Sequence, residues 1–200
     1  MDTWVWIVIA VAAVVIVAIA AMLVVDRRRQ QHLRQRFGPE YERAVERADS
    51  RRKAQQELAD REKRHDALEL RPLPPGARDR YAQEWTALQL RFVDRPQVAV
   101  AEADELLVHL MADRGYPADR FEAQADAISV DHPDLVENYR VAHSVQERTA
   151  GGQASTEDLR RAVVSYRSLF DELLRDGDTR DGDTRDGDTA DSGSESATAR

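Results

Sequence analysis

Residues 4–25 read WVWIVIAVAAVVIVAIAAMLVV, a run of 22 apolar residues that is followed at once by Asp26 and three arginines. A helix of this length reaches about 33 Å at about 1.5 Å per residue, and the hydrocarbon core of a bilayer is about 30 Å thick. We therefore predict a transmembrane helix over residues 4–25, preceded by a short N-terminus of residues 1–3.

The charges on either side of this run indicate its orientation. Residues 26–38 form a basic juxtamembrane segment with five arginines and one acid, whereas Asp2 is the only charged side chain before the run. The positive-inside rule then predicts a single-pass protein of the cell membrane, with the N-terminus outside and the C-terminal domain in the cytoplasm. Aromatic and arginine side chains are expected at the two lipid interfaces. The predicted interface residues are Trp4, Trp6, Arg27, Arg28 and Arg29.

A cleaved signal peptide is the alternative, since Ala18-Ile19-Ala20 has the small-x-small form of a cleavage site. However, no Lys or Arg precedes the run, and the run is longer than the apolar region of about 7–15 residues that signal peptides contain. The sequence therefore favours an uncleaved anchor.

The segment 39–70 is predicted to be one long charged helix. Phe37-Gly38-Pro39 marks its start, and no further Gly or Pro occurs before Pro72. Acids precede bases by four residues at several places, which supports an exposed helix. Its apolar stripe is too thin for a strong coiled coil. A solvated spacer about 48 Å long is favoured over weak helix pairing.

A proline-rich hinge over residues 71–76 is expected to precede a folded domain over residues 77–174. Three prolines and a glycine cannot continue a helix. After the hinge, apolar residues recur with a helical period, which predicts an all-α bundle of about five helices. The predicted core residues are Tyr81, Trp85, Leu88, Phe92, Ala99, Ala103, Leu106, Leu107, Leu110, Met111, Phe121, Ala125, Ile128, Val136, Tyr139, His143, Leu159, Val163, Tyr166, Phe170 and Leu173.

Asp131-His132-Pro133-Asp134 is the cluster that most resembles a site, with Glu137 and His143 downstream. His132 beside a carboxylate could transfer protons or help to hold a metal. The structural interpretation is favoured: Asp131 would be the N-cap of a helix that begins near Pro133. Glu62-x-x-His65 matches half of a di-iron motif, but such a site needs two copies of it.

The remaining composition excludes several classes of chemistry. The chain has no cysteine, so neither disulfides nor thiolate sites are available. Its net charge of −8 disfavours general nucleic-acid binding. Phosphate-binding glycine loops, nucleophile elbows and zinc-protease motifs are also absent from the sequence. We therefore predict no enzyme, no catalytic residue, no metal site and no cofactor.

The C-terminal residues 175–200 contain three consecutive copies of Arg-Asp-Gly-Asp-Thr. This acidic, glycine-rich segment lacks the apolar residues needed to form a core, so it is predicted to be a disordered tail. The repeat does not fit an EF-hand loop, because arginine and aspartate occupy positions that need an acid and a glycine. Weak calcium association is left as the alternative.

Several stretches resemble a group of uncharacterised actinobacterial single-span membrane proteins, some of which are labelled "secreted". The resemblance covers roughly residues 39–174, and its most distinctive segments are RGYP at 114–117 and DHPDLVENYR at 131–140. It implies that the helical domain is a real unit and that the repeat is a variable appendage. It implies no activity, cofactor or catalytic residue.

Together these features predict a membrane-anchored protein that presents a cytoplasmic interaction or scaffold domain. Its expected partners are membrane lipid and either another protein or a second copy of the chain. The alternative function is a small metal- or acid/base-dependent enzyme centred on His132, Glu137 and His143.

Overall fold

The computed structural model describes the backbone of residues 3–183 and the side chains of Trp4 and residues 12–175. Within that part of the chain there are eight helices and no strand, which confirms the all-α prediction. The helices are α1 (Thr3–Phe37), α2 (Pro39–Arg47), α3 (Arg51–Asp66), α4 (Ala77–Asp94), α5 (Pro96–Asp113), α6 (Phe121–Asp131), α7 (Val136–Ala150) and α8 (Thr156–Asp183).

The first helix, α1, includes the apolar run and the basic segment that follows it. Its described apolar side chains are exposed; Val14, Ile16, Val17 and Met22, for example, have 68%, 66%, 67% and 72% of their surface accessible. A search restricted to the described residues finds no helix that is both long and apolar enough to cross a membrane.

The chain divides into two compact units, residues 1–63 and residues 64–200. The predicted boundary at the hinge, residues 71–76, is therefore placed too late. The physical reason is that residues ahead of the hinge already belong to the second core: Leu68, Leu70 and Leu73 pack against it.

Unit 1 contradicts the prediction of a single helix over residues 39–70. The helix stops after Arg47, where Ala48 adopts an extended conformation with ψ of 147°, and a new helix begins at Arg51. Ser50 explains the restart, because its hydroxyl accepts a hydrogen bond from the Lys53 amide at 3.3 Å, as an N-cap does. α3 ends at Asp66, so the segment is not a straight spacer of the predicted length.

A small core holds the elements of unit 1 together. Its buried apolar side chains come from the end of α1 and from α2 and α3: Leu33, Phe37, Tyr41, Ala44, Ala54 and Leu58. Polar contacts join the same helices, since Gln55 donates to the Tyr41 hydroxyl at 3.2 Å and Arg61 pairs with buried Glu40 at 3.2 Å. The charged helix is thus folded back in a hairpin and is not fully solvated.

Unit 2 has the bundle that the apolar periodicity predicted. Helices α4 to α8 enclose one core, and every predicted core residue is buried except Phe92, Phe121 and His143, which are partly buried. Trp85 of α4 stacks on Phe170 of α8 at 4.6 Å between ring centroids. Burial of such large aromatic rings supplies much of the apolar stabilisation.

Gly115 lies just beyond the end of α5 at Asp113. Gly115 has φ of +88°, and a Cβ atom there would lie 2.4 Å from the Glu69 carbonyl oxygen. The segment before α4 is also hydrogen-bonded to the end of α5, because the Arg71 amide donates to the Arg114 carbonyl at 3.0 Å. The hinge segment is therefore anchored to the end of α5.

The last helix, α8, begins after a reciprocal capping box between Ser155 and Asp158, with hydrogen bonds of 2.7–3.2 Å. The tail prediction began at Arg175, but α8 continues to Asp183. Once a helix is nucleated, each added residue gains a backbone hydrogen bond at small cost. Residues 184–200, on which most of the disorder and calcium predictions fall, lie outside the described residues.

Candidate functional site

The Asp131 cluster consists of Asp131, His65 and Tyr116, three residues far apart in the sequence. His65 Nε2 lies 2.7 Å from Asp131 Oδ2, and the Tyr116 hydroxyl donates to the same oxygen at 2.7 Å. His65 and Tyr116 are 8% and 4% exposed. The Asp131 side chain is 18% exposed, and its two short hydrogen bonds join the end of α6 to the end of α3 and to the segment between α5 and α6.

The charge state of Asp131 follows from these contacts. Burial pushes its pKa upward, but the hydrogen bonds from His65 and Tyr116 outweigh burial, and the nearby charges of His65 and His132 act in the same direction. The pKa of Asp131 is therefore held below its usual value of 3.8. At neutral pH the cluster contains a partly buried carboxylate that only accepts hydrogen bonds.

The cap interpretation of Asp131 is wrong. Asp131 is the last residue of α6, and α7 begins only at Val136, after a turn through Pro133 and Asp134. Leu135, not Asp131, is the residue at the N-cap position of α7. The side chain of Asp131 accepts hydrogen bonds from His65 and Tyr116.

The Asp104 cluster uses the same residue types on α5, α7 and α8. The Tyr166 hydroxyl donates to Asp104 Oδ1 at 2.8 Å, and His143 Nδ1 lies 3.5 Å from the same oxygen. The His143 ring also stacks on Phe121, with 3.8 Å between centroids and 7° between planes. Asp104 thus joins three helices on one side of the core.

The pKa of His143 is raised above its usual value of 6.5. The interaction with the Asp104 carboxylate is the largest cause; burial opposes it, and the charges of Glu147 and Glu122 add to it. Burial also raises the pKa of the Tyr166 hydroxyl, with Asp104 contributing in the same direction. The carboxylate of Asp104 thus favours the charged form of the His143 imidazole.

A third pair, Tyr81 and Asp113, lies where α4 meets the end of α5. The Tyr81 hydroxyl donates to Asp113 Oδ2 at 2.7 Å, and Arg80 approaches the same oxygen at 3.5 Å. Burial, followed by the hydrogen bond and the charge of Asp113, raises the pKa of Tyr81 to about 12. Tyrosine–aspartate hydrogen bonds are therefore a recurring means of joining helices in unit 2.

The predicted trio His132, Glu137 and His143 does not form a metal centre. No group of three potential ligands suited to a metal ion occurs among the described side chains. His132 is 9% exposed, and its charge helps to lower the pKa of Asp131. Glu137 Oε2 lies 3.8 Å from Arg140 Nη1. His143 belongs to the Asp104 cluster. The half motif Glu62-x-x-His65 is split as well, because Glu62 pairs with His32 at 2.8 Å.

The predicted membrane-interface residues are exposed where their side chains are described. Trp4 is 63% exposed, and Arg27, Arg28 and Arg29 are exposed on α1. The side chain of Trp6 lies outside the described residues.

A second kind of candidate site is an apolar surface on α4. Tyr81, Trp85 and Leu88 face the core, whereas Leu90 and Val93 are 71% and 81% exposed. A shallow cavity of about 470 Å³ runs along the exposed side of the helix. It is lined by Asp79, Ala82, Gln83, Thr86, Ala87 and Leu90. We call this surface, together with Val93, the α4 face.

A smaller cavity of about 290 Å³ lies on the other flank of α4, beside α5. It is polar, and Arg91 and Glu102 pair across it at 2.8 Å. Glu105 and His109, one helical turn apart, also line it. Its lining carries three carboxylates, those of Glu84, Glu102 and Glu105, and one guanidinium, that of Arg91, which already pairs with Glu102.

Sequence reasoning identified neither the Asp131 cluster nor the α4 face. His65 and Tyr116 carry no local signal that they meet Asp131, because the contacts span 66 and 15 residues of sequence. The α4 face did have a signal: Leu90 and Val93 fall outside the stripe of Tyr81, Trp85 and Leu88, although they lie on the same helix. Large apolar residues off the core stripe indicate an exposed apolar surface.

Comparison with family models, curated proteins and solved structures gives no match. The resemblance to actinobacterial single-span proteins therefore stays a prediction.

Proposed function

We propose that this chain is a single-pass membrane protein whose helical unit 2 docks a protein partner in the cytoplasm through the α4 face. The observation that carries the proposal is the exposure of Leu90 and Val93, 71% and 81%, on a helix whose other side is fully used by the core. No catalytic role is proposed for any residue.

The membrane part of the proposal is supported by the run of residues 4–25 and its flanks. The run is long enough to cross a bilayer as a helix, and its described part is exposed all round, as a lipid-facing helix would be. Arginines follow it at 27–29, which favours an inner, anionic leaflet on that side.

The docking part is supported by a contrast within unit 2. Other exposed large apolar residues of unit 2, such as Val141 and Val164, are 42% and 55% exposed. Leu90 and Val93 are more exposed and lie next to a shallow cavity lined by small side chains. Exposed apolar residues that are clustered in this way are typical of protein interaction sites.

The alternative function, acid–base catalysis centred on His132, Glu137 and His143, stays a prediction with less support. Proton transfer to a substrate needs access to the titrating group. His132 is 9% exposed, and the His143 side chain, 21% exposed, is engaged with Asp104 and Phe121.

The membrane proposal can be tested with the full-length chain, which has no cysteine of its own. We expect it to resist alkaline carbonate extraction from membranes, and Val17→Arg to weaken that resistance because it places a charge near the middle of the run. A single cysteine at exposed Asp119 should react with a membrane-impermeant thiol reagent only after the cells are opened. Labelling in intact cells would reverse the proposed orientation.

The docking proposal can be tested by photo-crosslinking in the membrane-bound, full-length protein. A photoreactive residue at Leu90 should give a discrete crosslinked protein, whereas the same residue at Val164, which is also exposed, should give much less. Leu90→Glu should abolish binding without altering the helical circular dichroism, since Leu90 contributes little to the core. Equal crosslinking from both positions would remove the support for a specific surface.

A further inference from the structure

We infer that the turn between α2 and α3 lies against the membrane surface and binds anionic lipid headgroups through Arg47, Arg51 and Arg52. This inference rests on the proposed transmembrane span and adds a second, lipid-specific contact to it. Three features of unit 1 carry it: an uninterrupted first helix, a reversal of the chain at Gly38, and an uneven distribution of charge.

The first feature limits how far unit 1 can lie from the bilayer. α1 runs without interruption from Thr3 to Phe37, so the apolar run and the start of the unit 1 core belong to one helix. Leu33, 1% exposed, is already part of that core. It follows Val25 by eight residues, or about 12 Å along the helix. The headgroup layer is roughly 5–8 Å thick, so the core of unit 1 starts just outside it.

The second feature is the reversal of the chain after α1. Arg34, one turn before Gly38, pairs with Glu42, one turn after it, at 3.1 Å. The Arg34 guanidinium also lies over the Tyr41 ring, 5.2 Å from the ring centroid. Gly38 has φ of +46°, a conformation that glycine adopts without a steric penalty. These contacts across Gly38 direct α2 back along α1, toward the apolar run.

The length of α2 determines where the turn lies. Phe37 follows Val25 by 12 residues, or about 18 Å, and the nine residues of α2 return about 14 Å of that distance. Arg47, at the far end of α2, therefore lies about 5 Å beyond the run, which is the level of the headgroups.

α3 runs in the opposite direction to α2 and so leads away from that level. Two pairs across the α2–α3 hairpin indicate this direction. Gln55 donates to the Tyr41 hydroxyl at 3.2 Å, and Arg61, farther along α3, pairs at 3.2 Å with Glu40, nearer the start of α2. The first residues of α3 are therefore at the same end of unit 1 as the apolar run.

The third feature is the positive charge at this end. Residues 47–53 carry four basic side chains and one acid, and all five are exposed. Lys53 pairs with Asp49 at 2.6 Å, whereas no ion pair to Arg47, Arg51 or Arg52 is found among the described side chains. The remainder of α3, residues 54–66, carries four acids against three Lys or Arg. The excess positive charge is thus concentrated at the turn.

Anionic lipid is the occupant that fits this surface. The first turn of α3 contains no acid, although the helix dipole favours acids there, so the two arginines are not needed to stabilise the helix. On α1, Arg27, Arg28 and Arg29 lie about 3–6 Å beyond the run, at the same level as the turn. Like charges at one level repel each other, whereas a negative bilayer surface attracts both groups. The turn should therefore approach the bilayer only where anionic lipid is present.

The test measures the contact of the turn with headgroups in the full-length chain in lipid vesicles. Since the chain lacks cysteine, a fluorophore can be attached at Ala48→Cys, in the turn, or at Lys63→Cys, an exposed control near the other end of α3. The vesicles contain either phosphatidylcholine alone or equal parts of phosphatidylcholine and phosphatidylglycerol, with a quencher on a headgroup. We expect quenching at position 48 to be strong only with phosphatidylglycerol, and quenching at position 63 to be weak in both.

Charge variants separate the arginines of the turn from general attraction. Arg51→Gln with Arg52→Gln should lower the ratio of bound to unbound turn by about fivefold for each arginine removed. Lysine at the same two positions keeps the charge and should keep the quenching. Arg95→Gln with Arg120→Gln, a matched control, removes the same charge from exposed positions of unit 2 and should leave the quenching unchanged.

The remaining outcomes distinguish this inference from the proposed span. If carbonate extracts the chain from the vesicles, the span fails and the inference fails with it. If the chain stays in the vesicles but phosphatidylglycerol does not increase quenching at position 48, the span stands and the lipid contact is overturned. Quenching that needs phosphatidylglycerol but survives Arg51→Gln with Arg52→Gln would assign the binding to residues 27–29 and would also overturn the role of the turn.

Discussion

The Asp131 cluster and the Asp104 cluster contain the same three residue types, and they are built differently. Asp131 accepts two hydrogen bonds of 2.7 Å, one from His65 and one from Tyr116. Asp104 accepts one of 2.8 Å from Tyr166, and its histidine stands farther off, at 3.5 Å. The histidines differ too: the side chain of His65 is 8% exposed, whereas that of His143 is 21% exposed.

Because of this difference, a different group carries the pKa shift in each cluster. In the Asp131 cluster the carboxylate is the group with the shifted pKa, and its charge is stable at neutral pH. In the Asp104 cluster the histidine is shifted, and its charge is lost as the pH rises through its raised pKa. The contribution of Asp131 to the stability of unit 2 is therefore lost as the pH falls, and that of His143 is lost as the pH rises.

The largest effect is expected when Asp131 is removed. Asp131→Ala leaves the nearly buried His65 and Tyr116 without their acceptor, and each group left in this way costs about 1–3 kcal/mol. We expect a loss of about 3 kcal/mol in the free energy of unfolding of unit 2, compared with about 2 kcal/mol for Asp104→Ala. The smaller loss at Asp104 reflects one close hydrogen bond and a histidine that water can reach.

Urea unfolding of the full-length chain in detergent micelles measures both losses. Replacing Trp4 and Trp6 with phenylalanine leaves Trp85 as the only tryptophan, so its fluorescence reports on unit 2. Tyr116→Phe is the matched control, because it removes one hydroxyl and keeps the carboxylate; it should cost about 1 kcal/mol. Equal losses for the two alanine variants would contradict the distinction between the clusters.

The next prediction concerns how the stability contributed by each cluster changes with pH, and the direction of that change is opposite in the two clusters. The pKa of Asp131 is lowered on folding, so its stabilisation is present above pH 3.8 and is lost as the pH falls through the lower, folded value. The pKa of His143 is raised on folding, so its stabilisation is present below pH 6.5 and is lost as the pH rises through the higher, folded value.

Two variants separate these contributions in unfolding experiments across pH 3–9. His143→Gln should cost about 1 kcal/mol near pH 5 and progressively less at higher pH, because only the charged imidazole pairs with Asp104. Asp131→Asn should flatten the acid side of the stability profile, because it removes the carboxylate whose pKa is lowered on folding. A His143→Gln loss that grows with pH would reverse the sign and refute the assignment.

The folding pattern was predictable where helical periodicity dominates. The stripes of unit 2, such as Tyr81, Trp85 and Leu88, were identified from the sequence because burial on one face imposes a period of about 3.6. The long helix over 39–70 was mistaken for a different reason. Ser50 has the right chemistry for an N-cap, but the charged residues around it also suit a continuous exposed helix, and only packing against α1 decides between the two.

The candidate sites were predicted less well, for reasons of distance and direction. Asp131 and His143 were both noted in the sequence, but their partners His65 and Asp104 are brought to them only by the packing of other helices. Asp131 was interpreted locally as a cap, because a local rule needs only neighbouring residues. Long-range hydrogen bonds leave no such pattern in a single sequence.

The smallest effect is expected for Phe121, whose ring stacks on the histidine of the Asp104 cluster. Phe121 stacks on His143 at 3.8 Å, and a charged imidazole is attracted to an aromatic face more strongly than a neutral one. Phe121→Leu keeps an apolar residue of similar reach but removes this attraction. We expect it to cost about 0.5 kcal/mol more at pH 5 than at pH 8, and to lower the pKa of His143 in an NMR titration. If the loss is the same at both pH values, Phe121 acts only by packing, and the pH response of the cluster comes from Asp104 and the surrounding acids alone.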